Sequence, residues 1–279
     1  MKIISTLLLT AFVALARADK KYPRGYVRSV DANTTEIKLL SITDAMLDAT
    51  PDDVDWADNL TPIKDQGNCG SCWAFSSVST AESALYMGGH FKEPTEISTE
   101  ELVDCVKGDG CRGGDITDGI DYLKKHGTAL ASDYPDTSSD ARPAHKSSCK
   151  IKEMDVMKKI KGRKFAVPEC SRGDCSDSDE EALAAALAHH GPIAICVNSE
   201  GWENYEGGVM KRKCGAKANK IDHCVQLVGY SKTASEPYWK IRNSWADDWG
   251  EDGFIRIPYG QGNKCCVACE ALIIEVEDA

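Results

Sequence analysis

A cysteine at the start of a helix, with an amide side chain six residues before it and an indole directly after it, constrains this chain more than any other feature. It lies within Gln66-Gly67-Asn68-Cys69-Gly70-Ser71-Cys72-Trp73-Ala74-Phe75. Apolar residues recur at Ala74, Val78, Ala81 and Leu85, the spacing of one helical face, so a helix is predicted whose opening turn carries Cys72. The N-terminus of a helix bears about half a positive charge, which favours a thiolate and makes that sulfur a nucleophile. The pattern alone is ambiguous. Cys-x-x-Cys also marks thiol oxidoreductases and zinc knuckles, and an isolated cysteine is most often simply buried. A nucleophilic Cys72 requires a base, and a group that orients the base, elsewhere in the chain.

Both are present. In Asp222-His223-Cys224-Val225-Gln226-Leu227-Val228-Gly229-Tyr230 a histidine opens an apolar run that ends in glycine, the pattern of a buried strand. Pro237-Tyr238-Trp239-Lys240-Ile241-Arg242-Asn243-Ser244-Trp245 reads as a second strand ending on an asparagine beside a tryptophan. An asparagine oxygen can accept from one imidazole nitrogen and fix the tautomer, leaving the other nitrogen for the sulfur. A neighbouring indole would shield that bond from water. Singly, His223 is an ordinary histidine and Asn243 a turn residue; together with the Cys72 block they form a set.

With Val54-Asp55-Trp56, Gly110-Cys111-Arg112-Gly113-Gly114, Gly191-Pro192-Ile193 and Trp249-Gly250-Glu251-Asp252-Gly253-Phe254-Ile255-Arg256-Ile257, the chain resembles the papain-like cysteine proteases of the cathepsin type over residues 54–276. The resemblance implies an α+β, two-lobed fold, a helical lobe over about 61–164 facing a β-barrel lobe over about 165–273 across an active-site cleft. It also implies a cysteine-type endopeptidase, with an exopeptidase of the same fold as the alternative, in which Cys72 attacks, His223 acts as base and then acid, Asn243 orients it, and Gln66 donates to the oxyanion with the Cys72 N–H. A Cys72–His223 ion pair is expected before substrate binds, a His-paired thiol of this kind having a pKa of about 3–4. His223 follows Cys72 by 151 residues and Asn243 by 171, a surplus assigned to the polar loop around Cys170 to Asp179.

Other implied parts are a backbone-binding Gly113-Gly114 pair and a pocket for the residue two before the scissile bond, walled by Ile116, Cys196, Ile221, Cys224 and Ile274. Asp222 and Trp245, beside the catalytic histidine and asparagine, complete the substrate-binding set. No carboxylate is expected on the pocket floor, which predicts a preference for Leu, Val or Phe there. The implied disulfides are Cys69–Cys111, Cys105–Cys149 and Cys214–Cys269. A local Cys170–Cys175 pair is open, and Cys196 with Cys224 would be close enough to pair or to react with oxidants. Thirteen cysteines, an odd number, require at least one free thiol, for which Cys72 is the natural choice.

Residues 1–18 read as a secretory signal: Lys2, an apolar core from Ile3 to Leu15, and Ala16-Arg17-Ala18 as cleavage site. Export places the chain in the secretory pathway, in a lysosome, a vacuole or outside the cell. Residues 19–49 then form a short propeptide, and 50–279 the peptidase domain. This propeptide lacks the long charged helix of the cathepsin L type and carries no cysteine that could bond to Cys72. Asn33-Thr34-Thr35 and Asn59-Leu60-Thr61 are glycosylation sequons. A formal charge of −11 argues against nucleic acid as a partner. The expected partners are protein and peptide substrates and cystatin-like inhibitors, with no cofactor, no metal, no membrane span and a monomeric state. Helices are expected from Ser98, as the first residue of a capping box, from Asp118 to His126, and from Glu180 to His190 behind a Ser178 cap. The rival from another class is a disulfide oxidoreductase or zinc module using Cys69-Gly70-Ser71-Cys72 and Cys266-Val267-Ala268-Cys269. It would have no need of Gln66, His223 and Asn243.

Overall fold

Helix α2 (Cys72–Met87) is the element on which the site depends, and it is buried on every side. Only Ala84, Tyr86 and Met87 of its residues escape burial, so the single apolar face read from the sequence is one part of a fully enclosed helix. Its small hydroxyl side chains explain how this is tolerated. Ser76 Oγ donates to the Val225 carbonyl (2.7 Å), and Gln226 Nε2 donates to the Ser79 carbonyl (2.9 Å) and to Ser83 Oγ (3.0 Å). Most buried polar groups in proteins are hydrogen-bonded, and these bonds tie α2 to the strand that carries His223.

The computed structural model describes residues 22–28, 38–108, 110–140, 145–151 and 159–279. The signal segment 1–18 and the Asn33 sequon lie outside them. Around α2 pack α3 (Thr99–Cys105) and α4 (Ile116–His126), joined by Trp73, Val78, Leu85, Leu102, Ile120 and Leu123 in one core. Ser98 caps α3 by accepting the Glu101 N–H (3.0 Å), but the reciprocal half of the capping box is absent: Glu101 instead accepts from Ala129 N–H (2.7 Å). Helix α4 starts two residues before the predicted Asp118 because Asp115 caps it, accepting from Thr117 N–H (2.9 Å). Gly127, at φ 88°, ends it.

The remaining strands form one eight-stranded sheet. They are β1 (Lys38–Leu39), β2 (Asp53–Asp55), β3 (Ile160–Phe165), β4 (Ile193–Val197), β5 (His223–Ser231), β6 (Tyr238–Arg242), β7 (Phe254–Pro258) and β8 (Glu270–Val276). Their order is β1-β3-β8-β4-β5-β6-β7, with β2 paired to β5. Among the described residues this sheet is open, which corrects the expected barrel. Its end strands do not meet: β1 is two residues long, and the outer side of β7 is met by the loop at Val209 and Met210, where Met210 N–H donates to the Arg256 carbonyl (2.9 Å). Helix α5 (Glu180–His190) spans the predicted residues, capped by Asp179 rather than Ser178, since Asp179 accepts the Ala182 N–H (2.9 Å). A second core holds Leu183, Leu187, Ile195, Leu227, Trp239, Ile241 and Ile257. Short helix α1 (Asp44–Asp48) lies against α5, with His189 Nε2 on the Met46 carbonyl (3.0 Å). No helix is long and apolar enough to cross a membrane among the described residues.

All thirteen cysteines are described, twelve of them in disulfides, and Cys72 is the free thiol. Cys69–Cys111 and Cys105–Cys149 match the expected pairs, and Cys170–Cys175 and Cys196–Cys224 also form. Cys214–Cys269 does not form: Cys214 bonds to Cys265, and Cys266 to Cys269. The reason is a turn with left-handed backbone at Asn263, Cys265 and Cys266 (φ 50°, 57° and 64°). It points the adjacent Cys265 and Cys266 in different directions, one toward Cys214 and one back over its own turn.

Candidate active site

Cys72 is the first residue of α2 and is fully buried. His223 opens β5, and Asn243 follows β6, the strand beside it in the sheet. The imidazole and amide meet as expected: His223 Nε2 lies 2.8 Å from Asn243 Oδ1. An amide oxygen only accepts, so Nε2 carries the proton and Nδ1 keeps a lone pair. Nδ1 is buried and has no hydrogen-bond partner among the described residues. Trp245 stacks on the ring (centroids 4.8 Å apart, planes at 25°) and Trp202 meets it edge-on at 6.1 Å. The backbone of Cys224, next to His223, faces the Cys72 sulfur and favours its thiolate, which brings nucleophile and base to one place.

Gln66 is held by Ser244, whose hydroxyl donates to Oε1 (2.6 Å). That leaves Nε2 to donate to the Cys69 carbonyl and to the Pro23 carbonyl, each at 3.0 Å. Pro23 belongs to a segment, residues 22–28, that lies over the whole site. Gly114 N–H donates to the Gly25 carbonyl and Val27 N–H to the Gly114 carbonyl, both at 2.9 Å, a parallel bridge centred on Tyr26. Gly114 is required here because a Cβ would lie 2.6 Å from the Trp73 ring. Tyr26 N–H donates to the Asp222 carbonyl (3.3 Å), and Arg24 pairs with Asp222 Oδ2 (3.0 Å) and with Glu203. Tyr22 stacks on Trp245 at 4.6 Å. Gly113 lies directly beside the segment, where a Cβ would be 2.6 Å from Val27.

Burial under this strap sets the charge state of the pair. The Cys72 thiol is pushed up to about 11 by burial, outweighing the N–H groups of Cys224, Gly25 and Trp73 that favour the thiolate. Burial likewise drives His223 well below its ordinary value, against the Asn243 bond and the Asp222 charge that act the other way. In the covered site burial thus favours the thiol and the neutral imidazole over the ion pair. The thiolate value expected from sequence presupposes an open cleft.

Tyr26 of the strap occupies a hollow beside Gly114. Tyr26 packs against the core that includes Ile116, Ile221 and the Cys196–Cys224 pair. Its hydroxyl, however, donates to Glu270 Oε2 (2.6 Å), a buried carboxyl at the head of β8. Ile274 sits four residues further along β8, roughly 13 Å away at strand spacing, opposite Arg163. The hollow under Tyr26 thus ends on a carboxyl group. Glu270 is pushed up to about 7 by burial and by the charge of Asp115, while Arg28 and the Tyr26 bond oppose the rise. Ser244, Trp202 and Glu270 were not legible as site residues. Only Glu270 left a signal, a lone acid before the apolar Ala271-Leu272-Ile273-Ile274.

This raised carboxyl has a consequence for stability. An ordinary glutamate near 4.5 loses its proton on unfolding wherever the pH exceeds that value. Between 4.5 and about 7 the folded chain holds a proton that the unfolded chain has released, so stability falls as pH rises through this window. The total is about 3 kcal/mol. In a Cys72→Ser background, Glu270→Gln is expected to raise the melting temperature at pH 8 and leave it nearly unchanged at pH 4. Equal shifts at both pH values would remove Glu270 as the cause.

Residues 50–274 match the model of the papain family of cysteine proteases. The chain is 38% identical over 230 residues to cysteine proteinase 2 of Leishmania pifanoi, covering 80% of this chain and 48% of that protein. It is 36% identical to papaya proteinase 4 of Carica papaya over 77% of this chain and 57% of the relative. Among solved structures, digestive procathepsin L2 of Tenebrio molitor superposes with a TM-score of 0.75 at 29% identity, covering 91% of this chain and 78% of that one. Bromelain of Ananas comosus in complex with the E64 inhibitor gives 0.68 at 28% identity over 81% of this chain and all of that one. The chain belongs to the papain family of cysteine proteases. It spans about half the length of the Leishmania relatives that it matches.

Proposed function

We propose that this chain is a cysteine endopeptidase made as a zymogen, with residues 22–28 as the strap that closes its cleft. The observation that carries the reading is the Gln66 amide donating to the Pro23 carbonyl beside the buried Cys72, with His223 oriented by Asn243. A carbonyl placed there is where a scissile carbonyl would sit. Once the strap leaves, water and charge return to the cleft and the thiol can pass its proton to His223 Nδ1. The sulfur attacks the peptide carbon, and the oxyanion is held by Gln66 Nε2 and the Cys72 N–H. His223 protonates the departing amine, then takes a proton from water as the thioester is hydrolysed.

Polypeptide on both sides of the nucleophile favours internal cleavage: Tyr22 rests on Trp245 on one side of Pro23, and Tyr26 fills the pocket on the other. The strap also explains why it survives. From the oxyanion position at Pro23 to the pocket at Tyr26 it runs from N to C. A substrate whose pocket residue precedes the scissile bond runs from C to N over the same path. The strap is therefore seated backwards. Proteins and peptides are the substrates and cystatin-like inhibitors the natural antagonists, in the secretory pathway to which the leader directs the chain.

The presence of Glu270 shifts the preference two before the scissile bond from Leu, Val or Phe to tyrosine. Above about pH 7, where Glu270 is ionised, a hydrogen bond to it contributes about 1.5–3 kcal/mol, so kcat/KM for tyrosine over leucine is expected to be about tenfold or more there. Glu270→Gln should bring the ratio near unity; an unchanged ratio would place the pocket elsewhere. Loss of the oxyanion donor in Gln66→Ala is expected to lower kcat by about 10²–10³. Near-normal turnover of the folded variant would rule Gln66 out. Irreversible labelling by an epoxide inhibitor, lost in Cys72→Ser, tests the proposal as a whole.

A further inference from the structure

Cys266-Val267-Ala268-Cys269, the second Cys-x-x-Cys of the chain, has no part in hydrolysis. Its disulfide lies against another. The sulfurs of Cys175, Cys266 and Cys269 are all buried and within 4.8 Å of one another. Cys170, the partner of Cys175, is partly exposed, and an open depression of about 560 Å³ lined by Ser171, Arg172 and Lys217 lies over their loop. The two segments are bonded together. Cys170 N–H donates to the Cys269 carbonyl (2.9 Å). The fully buried Asn263 donates through Nδ2 to the Cys175 carbonyl (2.8 Å) and to the Cys269 sulfur (3.2 Å).

The geometry points to a disulfide-exchange centre that carries reducing equivalents from the surface pair Cys170–Cys175 to the buried pair Cys266–Cys269. A dithiol reductant attacks the partly exposed Cys170 sulfur and closes to its own cyclic disulfide. Two electrons enter the protein, and Cys170 and Cys175 become thiols. The Cys175 thiolate then attacks the Cys266 sulfur, forming Cys175–Cys266 and releasing Cys269 as a thiolate. Cys269 is the favoured leaving group because the Asn263 amide already donates to it, and a stabilised thiolate leaves faster. The two protons given up by the dithiol end on Cys170 and Cys269. The net change is one internal disulfide in place of two.

The position gives this exchange a target. Cys269 immediately precedes Glu270, and Glu270 stands opposite Cys196 in the β4–β8 register. Opening the inner pair frees the residue that anchors the pocket floor. The disulfide map itself does not depend on the peptidase reading, so failure of one leaves the other standing.

The test uses the full chain with Cys72→Ser, which removes the remaining thiol and any self-cleavage. It is treated with one equivalent of dithiothreitol, trapped with iodoacetamide and mapped by mass spectrometry. Alkylation at Cys170 and Cys269 together with a Cys175–Cys266 linked peptide is the expected result. Alkylation confined to Cys170 and Cys175, with Cys266–Cys269 intact, overturns the proposal. A further chain carrying Cys170→Ser and Cys175→Ser should open Cys266–Cys269 at least tenfold more slowly. An equal rate there would show that the outer pair is not the entry point. Should that variant fail to fold, the map of the parent decides alone.

Discussion

Processed enzyme carrying Cys72→Ala is expected to hydrolyse peptides on the order of 10⁶-fold more slowly than the parent, the scale of losing a nucleophile that acts as a unit with its base. The loss should fall on kcat, since the pocket of Glu270 and the Gly114 backbone remain to bind substrate. Asn243→Ala should cost up to about 10⁴ for a different reason. Without its acceptor at 2.8 Å the imidazole is free to take the other tautomer and present an N–H to the sulfur. The two variants are separated by labelling: the epoxide should still react slowly with Cys72 in Asn243→Ala and not at all in Cys72→Ala. A kcat for Asn243→Ala within a few-fold of the parent would mean that the stacked Trp245 alone holds the ring.

In the uncleaved chain, Tyr26→Ala is expected to raise the rate of Cys72 labelling by about 10- to 100-fold. The strap competes with the reagent for the cleft, and each 1.4 kcal/mol removed from its docking is tenfold in the open fraction. Tyr26 is the natural place to remove it, being packed in the pocket and bonded to Glu270. Arg24→Ala, which loses the pairs to Asp222 and Glu203, should act in the same direction but less, both carboxylates being part-exposed. Opening also restores water to a thiol that burial had pushed up to about 11, so the labelling rate should gain from ionisation as well as access. Identical labelling of parent and Tyr26→Ala would show that the strap does not gate the site.

The helix of Cys72, the strands of His223 and Asn243 and the nearly unchanged span of α5 were legible because each leaves a periodic or motif signal. What escaped lies where no period exists. The strap is a few residues whose backbone bonds to Gly114 need no particular side chain, and whose anchors at Tyr22, Arg24 and Tyr26 follow no period. Glu270 went unread because a single acid at the head of an apolar strand has no period, and the turn before it uses left-handed non-glycine residues at 263, 265 and 266, which composition does not announce. The same turn redirected the cysteine pairing. The charge state of Cys72 escapes a sequence reading for a related reason: it depends on what covers the sulfur, and the cover comes from residues 22–28, far away in sequence.

Asn243-Ser244-Trp245 is three consecutive residues with three separate duties. The first holds the imidazole, the second holds the Gln66 amide by its hydroxyl, and the third roofs the imidazole. The acid–base half and the anion-binding half of the reaction are thus registered to a single bend of the chain rather than to two independent supports. A displacement of that bend would move both halves together and keep their spacing. Damage to it would behave as one fault, with the losses from Asn243 and Ser244 overlapping rather than multiplying.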